Sequence, residues 1–160
     1  MSKFSIDNLS LVCIPDHRLS IPSLKVESFD DDLSKLSKKL EDLMHLHKGV
    51  GFAAVQAGVH LRMFVAKAGE TTKVFVNPEV LAASSWYTPH EGCLSIPGSW
   101  ETPLRPHEVF LRYQDLKGAQ FTESFTGLLA EIISHEIDHL DGLTLKDRLV
   151  LGRGVGSRSF

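Results

Sequence analysis

The chain has 160 residues, 42% of them hydrophobic, and 20 acidic against 17 basic residues leave a net charge of −3 at pH 7. That length buries one core and needs no second. The charge balance excludes a general nucleic-acid or anionic-membrane binder held by electrostatics, and no apolar run approaches the ~20 residues of a membrane helix. The opening MSKFSIDNLS lacks the basic and apolar regions of a signal peptide. A soluble cytoplasmic protein is therefore expected, with Cys13 and Cys93 as reduced thiols.

After an irregular opening, Leu33, Leu36, Leu40, Leu43 and His47 recur at spacings of three and four. This predicts a helix from Asp30 to Lys48, with Asp30, Asp31 and Asp32 at its start and Gly49 as its stop. The β-rich runs LRMFVAK, KVFVNP, HEVFLRYQD and AQFTESF, with a further segment around SSWYTP, are separated by turn formers such as Lys117-Gly118. They predict a mainly antiparallel sheet. A second helix is predicted from about Gly127 to Leu140, apolar on most sides and so buried. Residues 1–150 form one domain on this reading, and residues 151–160, rich in glycine and without periodicity, form a flexible tail.

The second helix carries SHEIDHLDG, residues 134–142. Residues four apart on a helix lie ~6 Å apart along the axis, so His135 and His139 can aim at one point. Glu136, about 100° around from His135, is suited to moving protons rather than to joining the stack. Two buried imidazoles and a carboxylate carry a desolvation cost that a divalent cation would offset. A pair of hydrogen-bonded core histidines is the competing explanation. The run EGCLSIPG offers Cys93 as a third ligand, leaving a fourth position for water, although an ordinary buried thiol is the commoner fate of a lone cysteine. The run GVGFAAVQAG sets small residues around one polar side chain, Gln56, where a substrate can approach closely.

In these three segments the sequence resembles the peptide deformylase family. Its patterns stand here as Gly49-Val50-Gly51-Phe52-Ala53-Ala54-Val55-Gln56, Glu91-Gly92-Cys93-Leu94-Ser95 and His135-Glu136-Ile137-Asp138-His139-Leu140. The likeness runs from Ile14-Pro15-Asp16 to DGLTLKDRL. The resemblance implies an α+β fold in which antiparallel sheets surround a central buried helix carrying the H-E-x-x-H motif. It implies removal of the N-terminal formyl group from formyl-Met of new polypeptides, acting as a monomer on nascent chains in the cytoplasm or an organelle. Cys93, His135 and His139 would bind the metal, Fe2+ by preference, with Zn2+, Ni2+ or Co2+ able to replace it. Glu136 would be the acid-base residue, Gln56 and the Leu94 N–H would receive the oxyanion, and Val50 and Gly51 would pair with the substrate backbone.

Such a metal lowers the pKa of its water to about 7, giving a hydroxide that attacks the formyl carbon, while Glu136 moves the proton to the leaving amine. Two departures stand out. Val55 replaces a frequent proline, and the glycine-rich C-terminus lacks the long terminal helix of many deformylases, which argues against ribosome docking through such a helix and leaves a transient ribosome contact as the expectation. Glu131, one turn before His135, is expected at the mouth of the substrate pocket or at a solvated position. Trp100 is expected at the pocket rim or over the core. Glu91 and Arg105 are expected to pair and hold the cysteine loop. A zinc endopeptidase shares H-E-x-x-H but usually draws its third ligand downstream, where this chain has neither His nor Glu after His139. A metal-binding relative without catalysis is the remaining alternative.

Overall fold

A computed structural model describes residues 5–151. Helix α1, Asp31–Leu46, begins where the Asp30 carboxylate accepts the Leu33 N–H at 3.0 Å, an N-cap that satisfies one orphan donor. It buries Leu33, Leu36, Leu40, Leu43 and Met44. The helix ends two residues short of the predicted Lys48. The left-handed residue at its exit is Lys48 itself (φ 57°), not Gly49. At Gly49 a Cβ would lie 2.7 Å from Leu94 Cδ1, so the backbone there passes close to the Leu94 side chain, whose end would have to shift to admit a larger residue.

The sheet has the order β1-β2-β3-β6-β7, all antiparallel, from strands β1 (Gly51–Ala53), β2 (Met63–Ala68), β3 (Thr71–Tyr87), β6 (Arg105–Gln114) and β7 (Gln120–Thr126). A separate hairpin joins β4 (Glu91–Cys93) to β5 (Ile96–Glu101). The runs KVFVNP and SSWYTP, separate in the sequence, lie on one strand, β3. Pro78 is tolerated there because the β3–β6 register shifts between Val76 and Glu79, which removes the need for its missing N–H. At the same shift Asn77 adopts φ 49° and its side chain bonds both the N–H and the carbonyl of Val26.

Helix α2, Gly127–Leu140, spans the predicted residues and is buried from Ala130 onward except at the half-buried Glu131. It packs on β6, β1 and β2. Strand β2 explains how the core divides. Phe64 and Ala66 face a cluster with Ile133 and Ile137 of α2, whereas Met63 and Val65 face Leu36 and Leu40 of α1. The period of two thus sends alternate side chains of an unbroken apolar run to two helices on opposite faces. The α+β architecture with antiparallel sheets is as expected.

A third helix, α3 (Leu145–Leu151), was not predicted, although Thr144 and Asp147 cap its start reciprocally, a pattern legible in TLKD. Leu151, assigned to the tail by composition, is its last residue. Residues 152–160 of that tail lie outside the described residues. Among the described residues no helix is long and apolar enough to cross a membrane.

Candidate metal centre and cleft

His135 and His139 face each other from successive turns of α2, with their Nε2 atoms 3.1 Å apart. Cys93 closes strand β4, and its Sγ lies 3.3 Å from His139 Nε2. The three ligand atoms all lie within 4.8 Å of one another. A tetrahedral ion with M–N ~2.0–2.1 Å and M–S ~2.3 Å would hold such atoms about 3.3 Å (N···N) and 3.6 Å (S···N) apart. The His135–His139 and Cys93–His139 separations fall a few tenths of an ångström short of these and the third pair lies within 4.8 Å, so the donor set is grouped closely enough to hold a divalent cation and suits one in chemistry.

The surrounding charges are arranged to keep these ligands in place. The Glu91 carboxylate lies 3.2 Å from His135 Nδ1, which turns His135 Nε2 inward. Arg105, 1% exposed, donates from Nη2 to Glu91 at 2.8 Å and from Nη1 to Asp138 at 2.6 Å. Arg148 of α3, also 1% exposed, donates to the other Asp138 oxygen at 2.6 Å. The expected Glu91–Arg105 pair therefore exists, is buried, and reaches a metal-site imidazole. The sequence reading missed Asp138 and Arg148. A carboxylate at position 138 in an otherwise apolar buried helix was the available signal, since such a charge demands a partner.

Burial raises the Cys93 thiol, but the neighbouring His139 and His135 outweigh it and bring the pKa to about 5, so the sulfur is a thiolate at neutral pH. Burial lowers the His135 imidazole, yet the Cys93 thiolate and Glu91 carry it well above its ordinary value. Burial likewise raises Glu91, and His135 and Arg105 bring it down to about 2. Glu136 is the exception: burial lifts its carboxyl to about 7 against the pull of the two imidazoles. Among the described residues its Oε2 and the Nδ1 of His139 have no hydrogen-bond partner.

A cleft of about 620 Å³ opens over this centre. Its lining includes Gln56, Cys93, Leu94, Glu131, His135 and Glu136. Gln56 has one possible orientation. Its Oε1 accepts the Ala53 N–H at 2.9 Å, and its Nε2 donates to Ser95 Oγ at 3.1 Å, because the Ser95 hydroxyl is already donated to the Val12 carbonyl. The Nε2 also faces Cys93 Sγ at 3.9 Å. Among the described residues the Leu94 N–H has no acceptor. A Cβ on Gly51 would fall 2.5 Å from Glu136 Oε1, so only glycine lets β1 approach the carboxylate this closely.

The rim is also assembled from residues singled out in the sequence. Val50, 45% exposed, forms a lip, and its carbonyl accepts the Lys67 N–H at 2.8 Å. Strand β1 is an edge of the sheet, and ladder alternation turns the Gly51 N–H and C=O outward. Trp100 lies at the rim rather than over the core, 63% exposed, stacked on His90 with centroids 5.4 Å apart and resting on Gly92. Glu131 lies in the cleft wall, half-buried, and accepts the Tyr87 hydroxyl at 2.7 Å.

The polypeptide deformylase family model matches residues 8–153. A peptide deformylase of Phenylobacterium zucineum is 40% identical over 145 residues, covering 87% of this chain and 86% of that one. One from Borreliella burgdorferi is 36% identical over 142 residues, covering 87% and 86%. Among solved structures, a peptide deformylase from Thermotoga maritima superposes with a TM-score of 0.86 at 31% identity, covering 88% of this chain and 97% of that one. Another, from Legionella pneumophila, has a TM-score of 0.84 at 38% identity, covering 88% and 85%. With cleft, ligand set and whole-length likeness in agreement, the chain belongs to the polypeptide deformylase family.

Proposed function

We infer that the protein is a metal-dependent hydrolase that removes the N-terminal formyl group from formyl-Met of newly made polypeptides. The observation that carries this reading is the meeting of Cys93, His135 and His139 beside the buried Glu136 carboxyl at the floor of an open cleft. Helix α2, with its H-E-x-x-H sequence, is assigned as the catalytic helix. The unit responsible is assigned to residues 1–150 together with the end of α3.

Cys93, His135 and His139 would hold the cation, and the mixed thiolate and imidazole set suits Fe2+ as well as Zn2+, Ni2+ or Co2+. The cation supplies Lewis acidity that activates water at neutral pH. Glu136, with a carboxyl pKa of about 7, accepts the proton of the attacking water and returns it to the departing Met nitrogen. The Gln56 Nε2 and the Leu94 N–H donate to the oxygen that gains charge on the formyl carbon. The outward N–H and C=O of Gly51, with Val50 beside it, extend the β1 edge to the peptide backbone as one further strand. Nascent chains beginning with formyl-Met are the substrate on this reading, met in the cytoplasm or an organelle.

The test is formate release from a formyl-Met peptide by the metal-loaded protein, with Glu136→Gln as control. A loss of about 10²–10⁴-fold in the variant is expected. A parent no faster than the variant would remove the assignment.

A further inference from the structure

The charges behind His135 form a relay that ends on α3. Arg148 grips Asp138 with two donors, Nη2 to Oδ1 at 2.6 Å and Nε to Oδ2 at 3.0 Å. Asp138 Oδ2 also accepts Arg105 Nη1 at 2.6 Å, and the other edge of that guanidinium, Nε and Nη2, rests on Glu91. Glu91 Oε2 takes Arg105 Nη2 at 2.8 Å and lies 3.2 Å from His135 Nδ1. None of these four charged residues is more than 6% exposed, so two guanidiniums and two carboxylates balance one another in the interior. Helix α3 buries only Leu145 and Arg148. As a device for stability alone a buried pair is weak, since well-packed apolar residues serve as well. Its connection to His135 gives it another use.

Without Arg148, a single guanidinium would face both carboxylates. The buried charge of Asp138 would draw Arg105 toward itself, Nη2 would leave Glu91 Oε2, and the oxygen that orients His135 would lose its anchor. We propose that Arg148 is a positioning residue for the metal: by neutralising Asp138 it leaves Arg105 to Glu91, and thereby fixes the His135 ring at the cation. Helix α3 thus sets how tightly the centre holds its ion, although among the described residues it contributes neither a ligand nor a lining residue of the cleft. The proposal rests on the reading of Cys93, His135 and His139 as metal ligands and goes beyond it. Outer groups that orient a ligating histidine are worth about 10- to 100-fold in metal affinity. Arg148 is expected to reach that range because its loss leaves a whole buried charge uncompensated.

Co2+ is the probe, because its thiolate absorption band reports ligation by Cys93. Its affinity is measured by competition with a chelator, at a temperature at which circular dichroism shows every variant folded. Arg148→Met is expected to bind Co2+ about 10- to 100-fold more weakly than the parent. Asp138→Asn/Arg148→Met removes the charge together with its partner and keeps an amide oxygen for Arg105 Nη1, so its affinity is expected to return to within about threefold of the parent. Leu40→Ala, a truncation in the buried stripe of α1, is the control for stability alone: its Tm falls by a similar amount, and its Co2+ affinity is expected to stay within about twofold of the parent. An Arg148→Met affinity equal to that of the parent, or a double variant as weak as the single one, overturns the proposal. Should Arg148→Met fail to fold, Arg148→Lys takes its place: it keeps the charge and loses the paired donors, so binding weaker by about threefold or more supports the proposal and parity overturns it. A parent that develops no thiolate band with Co2+ overturns the metal-ligand reading itself, and this proposal with it.

Discussion

Gln56, proposed above as a donor to the oxyanion, is held by its neighbours in the absence of any substrate. The Ala53 N–H fixes its carbonyl end and Ser95 its amide end, so no reorganisation is needed when charge develops nearby. Replacing Gln56 by Leu removes one donor and is expected to lower kcat by about 10²–10³-fold, the cost of losing one such donor. Steady-state kinetics check this, and KM should change far less. At Gly51 the neighbour is Glu136, 2.5 Å from where a Cβ would stand. Gly51→Ala is expected to displace that carboxylate and lower kcat/KM by at least about tenfold, a misplacement of the kind that costs heavily near the reacting atoms. Circular dichroism should meanwhile show an intact fold.

Among the elements, α3 is the one whose influence exceeds its size. Arg148 brings a buried charge to Asp138, which shares Arg105 with Glu91, which in turn meets His135. Removing one partner of a buried pair costs about 3–5 kcal/mol, and a chain of this size loses roughly 2–4 °C per kcal/mol. Arg148→Met is therefore expected to lower Tm by about 10 °C, measurable by calorimetry. Asp138 is raised by burial but lowered further by Arg105 and Arg148, so its folded pKa lies below the unfolded value of about 3.9. Its contribution is complete above that pH and disappears as pH falls through the folded value. The Tm difference between the parent and Asp138→Asn should accordingly be full at neutral pH and narrow below about pH 4. Sequence periodicity revealed α1 and α2 because each shows a long apolar stripe. It missed α3 and the β4–β5 hairpin because short elements carry too few repeats, and their buried charges acquire meaning only from distant partners.

For the whole molecule, the three residues proposed as metal ligands come from only two pieces of chain, a hairpin and a helix 42 residues further on by the spacing of Cys93 and His135. Ion binding to the native state alone stabilises it by mass action, about 2.7 kcal/mol at a hundredfold excess over Kd. Chelation is expected to lower Tm by several degrees in the parent and by far less in Cys93→Ser, as a thermal scan with and without chelator would show. The grouping of the two histidines was legible in the sequence because their spacing encodes their direction on a helix. The depth of the cleft and the anchoring of Glu131 by Tyr87 were not, because they depend on a strand end 44 residues away in sequence. Strand β2 links these scales: it lends Met63 and Val65 to one helix and Phe64 and Ala66 to the other. Helix α1 thereby becomes the buttress across the sheet from α2, the helix proposed to carry the catalytic residues. Lesions along its concealed stripe should surface as heat-sensitive enzymes whose catalytic residues are all in place.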